Sequence, residues 1–145
     1  MDKISMSPEL VDILLLEDNH EDAELTIRAL KKNNLTNHLL HLSDGEEGLR
    51  FLFSTPAASA PKLILLDLKM PKVDGIEVLR KLKNDAEKKT IPVVVLTSSK
   101  EHRDIQETYQ LGVNAYIVKP VDFEQCVKTV AEIGIFWLLL NQQPR

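Results

Sequence analysis

Five polar residues, Glu17, Asp18, Asp67, Thr97 and Lys119, stand at the ends of short apolar runs. Leu63 to Leu66 ends in Asp67, and the run closing at Leu16 ends in Glu17 and Asp18. Ile91 to Leu96 ends in Thr97, and Ala115 to Val118 ends in Lys119. If the runs lie side by side, three carboxylates, a hydroxyl and an ammonium meet in one cleft. Crowded carboxylates repel, and desolvation worsens the repulsion. A hard cation relieves it, and one or two carboxylates completed by waters suit Mg²⁺. The hydroxyl and the ammonium then match the oxygens of a phosphoryl group. A carboxylate beside them is a nucleophile for phosphorus and yields an aspartyl phosphate.

The elements that must position these groups follow from hydrophobic patterning. Apolar runs of four to eight residues between turn residues fit strands buried on both faces of a parallel sheet. The spacing predicts strands over Val11–Leu16, Thr36–Leu42, Leu63–Leu66, Ile91–Leu96 and Ala115–Val118. Helical spacing appears in Ala23, Ile27 and Leu30, in Leu49, Leu52 and Phe53, and in Ile76, Leu79 and Leu82. It recurs in Ile105 and Tyr109, with a helix closing at Gly112, and from about Asp122 to Leu140. Strands alternating with helices imply right-handed crossovers and a parallel sheet of class α/β, with five strands and five helices. All strand carboxyl ends then share one edge, where open α/β sheets bind their ligands.

The chain has 145 residues, enough for one domain, here read as residues 1–145 with a core of about 11–140. A formal charge of −4 gives no nucleic-acid surface. The single cysteine, Cys126, excludes an internal disulfide and suits a reducing, cytoplasmic setting. The stretch Met1–Pro8 lacks the apolar centre of a signal peptide. The longest apolar run, Ile135–Leu140, is too short to span a membrane.

In order and spacing the motifs resemble the response-regulator receiver domain of two-component signalling. They are Glu17-Asp18, the series Asp67, Met70, Pro71, Asp74 and Gly75, then Thr97-Ser98 and Lys119-Pro120. The resemblance covers about Val11 to Leu140 and implies a flavodoxin-like sheet of order 2-1-3-4-5. It implies that Asp67 is the phospho-acceptor, that Asp18, Asp67 and the carbonyl of Lys69 hold Mg²⁺, and that Glu17 reaches the ion through water. It further implies that Thr97 and Lys119 bind phosphoryl oxygens, that Tyr116 is a switch aromatic answering Thr97, and that the Lys119–Pro120 bond is cis. The donor would be a sensor histidine kinase. With no output domain following in the sequence, the phosphorylated surface would itself be the signal. The Pro-containing loop before Leu63 and the Gly134–Asn141 tail resemble, more narrowly, the stand-alone receivers that serve bacterial phytochrome kinases.

Rival chemistries fail on particular residues. A haloacid-dehalogenase-type phosphatase needs a second aspartate where Lys69 stands. A flavodoxin would place its phosphate against Glu17, Asp18, Glu21 and Asp22. A Ras-like GTPase needs a Gly-rich loop ending in Lys, which is absent. The remaining alternative is a receiver-like binding module that takes no phosphate, against which the intact Asp18, Asp67, Thr97 and Lys119 stand. His38 and His41, three apart on a strand, face opposite sides and cannot share a metal. Tyr109 reads as core. On the last helix, Phe123, Val127, Val130, Ala131, Gly134 and Leu138 form a stripe expected to face the sheet. Cys126, Ile133, Phe136, Trp137 and Leu140 are left over and predict a homodimer interface.

Overall fold

The computed structural model describes residues 11–34, 38–119 and 122–140. The strands are β1 (Ile13–Leu16), β2 (Leu39–Leu42), β3 (Leu63–Leu66), β4 (Val93–Thr97) and β5 (Ala115–Val118). The helices are α1 (His20–Lys32), α2 (Gly45–Ser54), α3 (Gly75–Lys83), α4 (His102–Gln110) and α5 (Phe123–Gly134). Short 3₁₀ turns at Ala57–Ser59 and Lys88–Thr90 precede β3 and β4, and α5 runs on as a π-helix over Ile135–Leu140.

Every strand pairing is parallel, and the order is β2-β1-β3-β4-β5. This is the doubly wound (βα)₅ flavodoxin-like sandwich expected from the sequence. Alternate side chains of a strand point to opposite faces, so each central strand feeds two cores. Leu14, Leu16, Ile64, Leu66, Val93 and Val95 pack with Leu52, Val78, Leu79 and Leu82 under α2 and α3. Ile13, Leu15, Leu63, Leu65 and Val94 pack with Ala23, Ala29, Leu30, Cys126, Val130 and Ile133 under α1 and α5. Burial on both faces explains why these strands are continuous apolar runs. Among the described residues, no helix is long and apolar enough to cross a membrane.

Several expectations need correction. β2 is shorter than Thr36–Leu42, and its first predicted residues lie outside the described set. His38 precedes the strand, where its carbonyl accepts from the N–H groups of Asp12 and Ile13, so the alternation argument for the two histidines does not hold. β4 begins at Val93 because Pro92 has no N–H to give a ladder, although its carbonyl accepts from Ile64. Tyr109 is not core but 50% exposed. On α5 the stripe is rotated: Cys126, Val130 and Ile133, at i, i+4 and i+7, are the buried line. α5 packs along α1 as well as the sheet, which widens the covered arc and takes Cys126 and Ile133 away from any interface.

Candidate functional site

Each strand delivers its polar residue to the carboxyl edge of the sheet. Glu17 follows β1, with its N–H on the carbonyl of Leu42 and its carbonyl 2.8 Å from Nε2 of His41. Asn19 then caps α1, its Oδ1 accepting from the N–H of Asp22, while its own N–H donates to Oε2 of Glu17 at 3.1 Å. Asp67 follows β3 with its N–H on the carbonyl of Leu16, and only 6% of it is exposed. Thr97 ends β4 fully buried, and Lys119 follows β5, donating its N–H to the Thr97 carbonyl.

The loop behind Asp67 is set by close backbone packing. The Gly75 N–H donates to the Leu68 carbonyl at 2.8 Å, and Asp74 caps α3 through the N–H of Glu77. A Cβ at Gly75 would lie 2.7 Å from the Cα of Leu68 and run into the Asp67 carbonyl, so only glycine fits. Lys72 turns this loop at φ 67, and its ammonium lies 3.8 Å from Asp44 and 3.9 Å from Glu46 at the start of α2. Lys69, two residues past Asp67, is exposed.

The charges gather on one lysine. Lys119 Nζ lies 2.7 Å from Asp22, 2.8 Å from Glu17 and 3.3 Å from Asp67. Burial alone would lower the Lys119 pKa, but Asp22, Glu17 and Asp67 outweigh it and raise it. Burial, then the hydrogen bond with Asp67, pushes Glu17 up to about 8. Asp67 goes the other way: burial opposes ionisation, yet hydrogen bonds from Glu17 and Thr97 and the Lys119 charge lower its pKa overall. The two buried carboxylates thus shift in opposite directions, as like charges crowded into one cleft do. Glu17, Asp18 and Asp67 can each bring one oxygen within 4.8 Å of the others, with Asp18 on the solvent side. An all-oxygen donor set with one open flank fits a hard divalent cation that keeps part of its water.

Tyr116 and Thr97 meet at one loop. The Tyr116 hydroxyl donates to the Ser99 carbonyl at 2.9 Å, and burial first of all raises its pKa. Ser99 Oγ donates to Asp104 on α4 at 2.6 Å, and the Ser99 N–H reaches the Thr97 hydroxyl at 3.4 Å. Pro120 and the Lys119–Pro120 bond lie outside the described residues, as does the side chain of Leu140. Three neighbours were not singled out from the sequence: Asp22 on Lys119, His41 on the Glu17 carbonyl, and Ser99 between Thr97, Tyr116 and Asp104. The signal for Asp22 lay in its place, four residues after Asp18 in the first turn of a helix leaving the same strand end.

Residues 13–131 match the family model described as the response regulator receiver domain, and the chain belongs to that family. Its members are phospho-acceptors of two-component signalling, served by sensor histidine kinases. The chain is 42% identical over 134 residues to the probable methanogenesis regulatory protein FilR2 of Methanothrix harundinacea, covering 91% of this chain and 86% of that protein. To the response regulator Rcp1 of Synechocystis sp. it is 40% identical over 129 residues, covering 87% and 88%. Among solved structures, the phosphorylated cyanobacterial phytochrome response regulator RcpA superimposes with a TM-score of 0.84 at 39% identity, covering 92% and 97%. The bacteriophytochrome response regulator AtBRR is 48% identical at a TM-score of 0.70, covering 92% and 99%. Rcp1 has also been solved with Mn²⁺ bound, at a TM-score of 0.82 and 39% identity, covering 92% and 98%. The family binds a divalent metal, and the carboxylates of Glu17, Asp18 and Asp67 fit such a site.

Proposed function

We propose that Asp67 is the phospho-acceptor of a receiver domain read over residues 1–145, served by a sensor histidine kinase. The observation that carries this is the placing of a buried Asp67 at the end of β3, 3.3 Å from the Lys119 ammonium and beside Glu17 and Asp18. An oxygen of Asp67 forms the new O–P bond as the P–N bond of a phosphohistidine breaks. The bonding pair leaves with the ring nitrogen. Mg²⁺ held by Asp18, Asp67 and the Lys69 carbonyl, with Glu17 behind a water, would supply positive charge for the phosphoryl oxygens. Thr97 and Lys119 donate to those oxygens, which positions the group in line and offsets its charge. Tyr116 follows Thr97 as the switch, and a cis Lys119–Pro120 bond would aim the lysine. The protein catalyses only its own phosphorylation and dephosphorylation.

Likeness to RcpA, a cyanobacterial phytochrome response regulator, and to AtBRR, a bacteriophytochrome response regulator, supports a phytochrome kinase as donor. The absence of a membrane-spanning helix among the described residues agrees with a cytoplasmic place. A homodimer on the outer end of the last helix is supported by Phe136, 49% exposed and edge-to-face with Trp137 at 4.9 Å. Phe136→Asp should then give a folded monomer by light scattering, and a monomeric wild type would remove the dimer.

Intact-mass measurement with phosphoramidate tests the central claim. One phosphoryl group should add to the wild type with Mg²⁺ and none with a chelator. Label that persists in Asp67→Asn would overturn the assignment.

A further inference from the structure

We propose that Asp22 is a positioning residue that holds Lys119 in reserve and competes with the incoming phosphoryl group for its ammonium. The proposal rests on the reading of Asp67 as acceptor and Lys119 as phosphoryl ligand. Lys119 has three N–H donors and three carboxylate partners, at 2.7 Å (Asp22), 2.8 Å (Glu17) and 3.3 Å (Asp67). The contacts to Asp22 and Asp67 are hydrogen bonds and that to Glu17 is an ion pair, so an incoming phosphoryl oxygen competes with three carboxylates for the ammonium.

The three partners differ in how readily they let go. The Glu17 side chain is 3% exposed, so water cannot take the ammonium's place there. Asp67 is the reacting group itself, already at the longest distance and buried. The Asp22 side chain is 40% exposed, and water can solvate it as the lysine leaves. The exchangeable partner is therefore the one on α1, outside the set of strand-end residues. Its position is fixed: the N–H of Asp22 is held by the Asn19 cap, and the helix begins directly after Glu17 and Asp18. Asp22 thus keeps Lys119 extended along the α1 side of the cleft while the site is at rest. The Asp22 charge acts on the cleft through Lys119, which it withholds from the incoming anion.

Removing that charge should speed phosphorylation, the reverse of what loss of a structural contact does. Asp22→Asn keeps the shape and the helix cap. Labelling by phosphoramidate at fixed Mg²⁺, followed by intact mass, should run about two- to fivefold faster than wild type, the range for a partly exposed ion pair. Asp22→Glu, which restores a carboxylate, should return to the wild-type rate. In a Lys119→Gln background the Asn substitution should change nothing, because coupled residues lose their interaction once one partner is gone. Should Lys119→Gln take up too little label to time, the same cycle is run on the dissociation constant for beryllofluoride with Mg²⁺, read by fluorine NMR. An Asp22→Asn variant no faster than wild type overturns the proposal. So does an Asp22→Glu variant as fast as the Asn, or an equal gain with and without Lys119. The reading of Asp67 is judged separately, by wild type against Asp67→Asn, neither of which is altered at residue 22.

Discussion

Gly75→Ala should separate the site from the fold. The added Cβ would stand 2.7 Å from the Leu68 Cα and 3.0 Å from the Asp67 carbonyl carbon, closer still to its oxygen. All three neighbours are backbone, so the β3–α3 loop must shift as a whole, and the Gly75–Leu68 hydrogen bond stretches with it. Overpacking of this kind costs about 1–3 kcal/mol. Alanine regains at most about 1 kcal/mol of helix propensity at the start of α3. The expected net loss is about 1–2 kcal/mol, which a domain of ordinary stability survives. The functional loss should be larger, since displacing a reacting group by about 1 Å costs on the order of a hundredfold. Urea unfolding gives the first quantity. Mg²⁺ titration and phosphoramidate labelling give the second. Gly48→Ala is the control, because the nearest atoms to its Cβ belong to the Leu16 side chain, the methyl groups at 2.7 and 2.9 Å, and not to backbone. It should lose stability and keep Mg²⁺ binding. A Gly75→Ala protein that binds Mg²⁺ and takes label like wild type would refute the reasoning.

Two further outcomes are expected. His41→Leu removes the donor 2.8 Å from the Glu17 carbonyl, and should cost about 1 kcal/mol and weaken Mg²⁺ binding, while His41→Gln keeps most of both; the two variants are compared by urea unfolding and Mg²⁺ titration. The metal-free protein should lose stability as pH rises from about 5 to about 8. Glu17 ionises near 4.5 when unfolded but near 8 when folded, so in that window the folded chain carries the extra proton. Asp67, with its pKa lowered from 3.8, contributes its own slope only below that window. Urea midpoints with a chelator should therefore fall across the window and flatten in saturating Mg²⁺. A midpoint that rises with pH in chelator would contradict it.

The strand-end residues were legible because a parallel sheet makes one statement twice. Continuous apolar runs mark strands buried on both faces, and the residue after each run is then at the ligand edge. The strand-end places of Asp67, Thr97 and Lys119 followed from that logic alone. Side-chain reach across elements was not legible. Asp22 meets Lys119 from 97 residues away in sequence, and only the exit angle of α1 decides that it does. The last helix misled for a different reason. An arc read at 100° per residue treats the sheet as the only thing to cover, whereas α1 lies alongside and buries Cys126 and Ile133 as well. The continuation of α5 as a π-helix from Ile135 breaks the phase of such an extrapolation at Gly134. Tyr109 reads as core by spacing because a helix packed on one side still tolerates an amphipathic residue at its edge.

We propose that the site reaches the surface through the hydroxyl of Thr97. That hydroxyl serves two partners: its oxygen accepts from the Ser99 N–H at 3.4 Å, and its proton faces the oxygens gathered at Asp67. The bond to Ser99 is long, hence weak. A phosphoryl group on Asp67 would give the Thr97 proton a charged acceptor, and charge-assisted hydrogen bonds are roughly twice as strong as neutral ones, so the side chain would be drawn toward it and its oxygen away from Ser99. If Thr97 turns to the phosphoryl group, Ser99 loses its tie to β4 but keeps Asp104 at 2.6 Å and Tyr116 at 2.9 Å. The β4–α4 loop is then held by α4 and β5 alone, free to move with them. Arg80 makes the same helix answerable to α3, bonding Glu77 at 2.8 Å and Glu107 at 2.9 Å. On this proposal, loss of one weak hydrogen bond at the strand end would change what α4 and β5 present to a partner, since each remaining tie of Ser99 leads outward to that face.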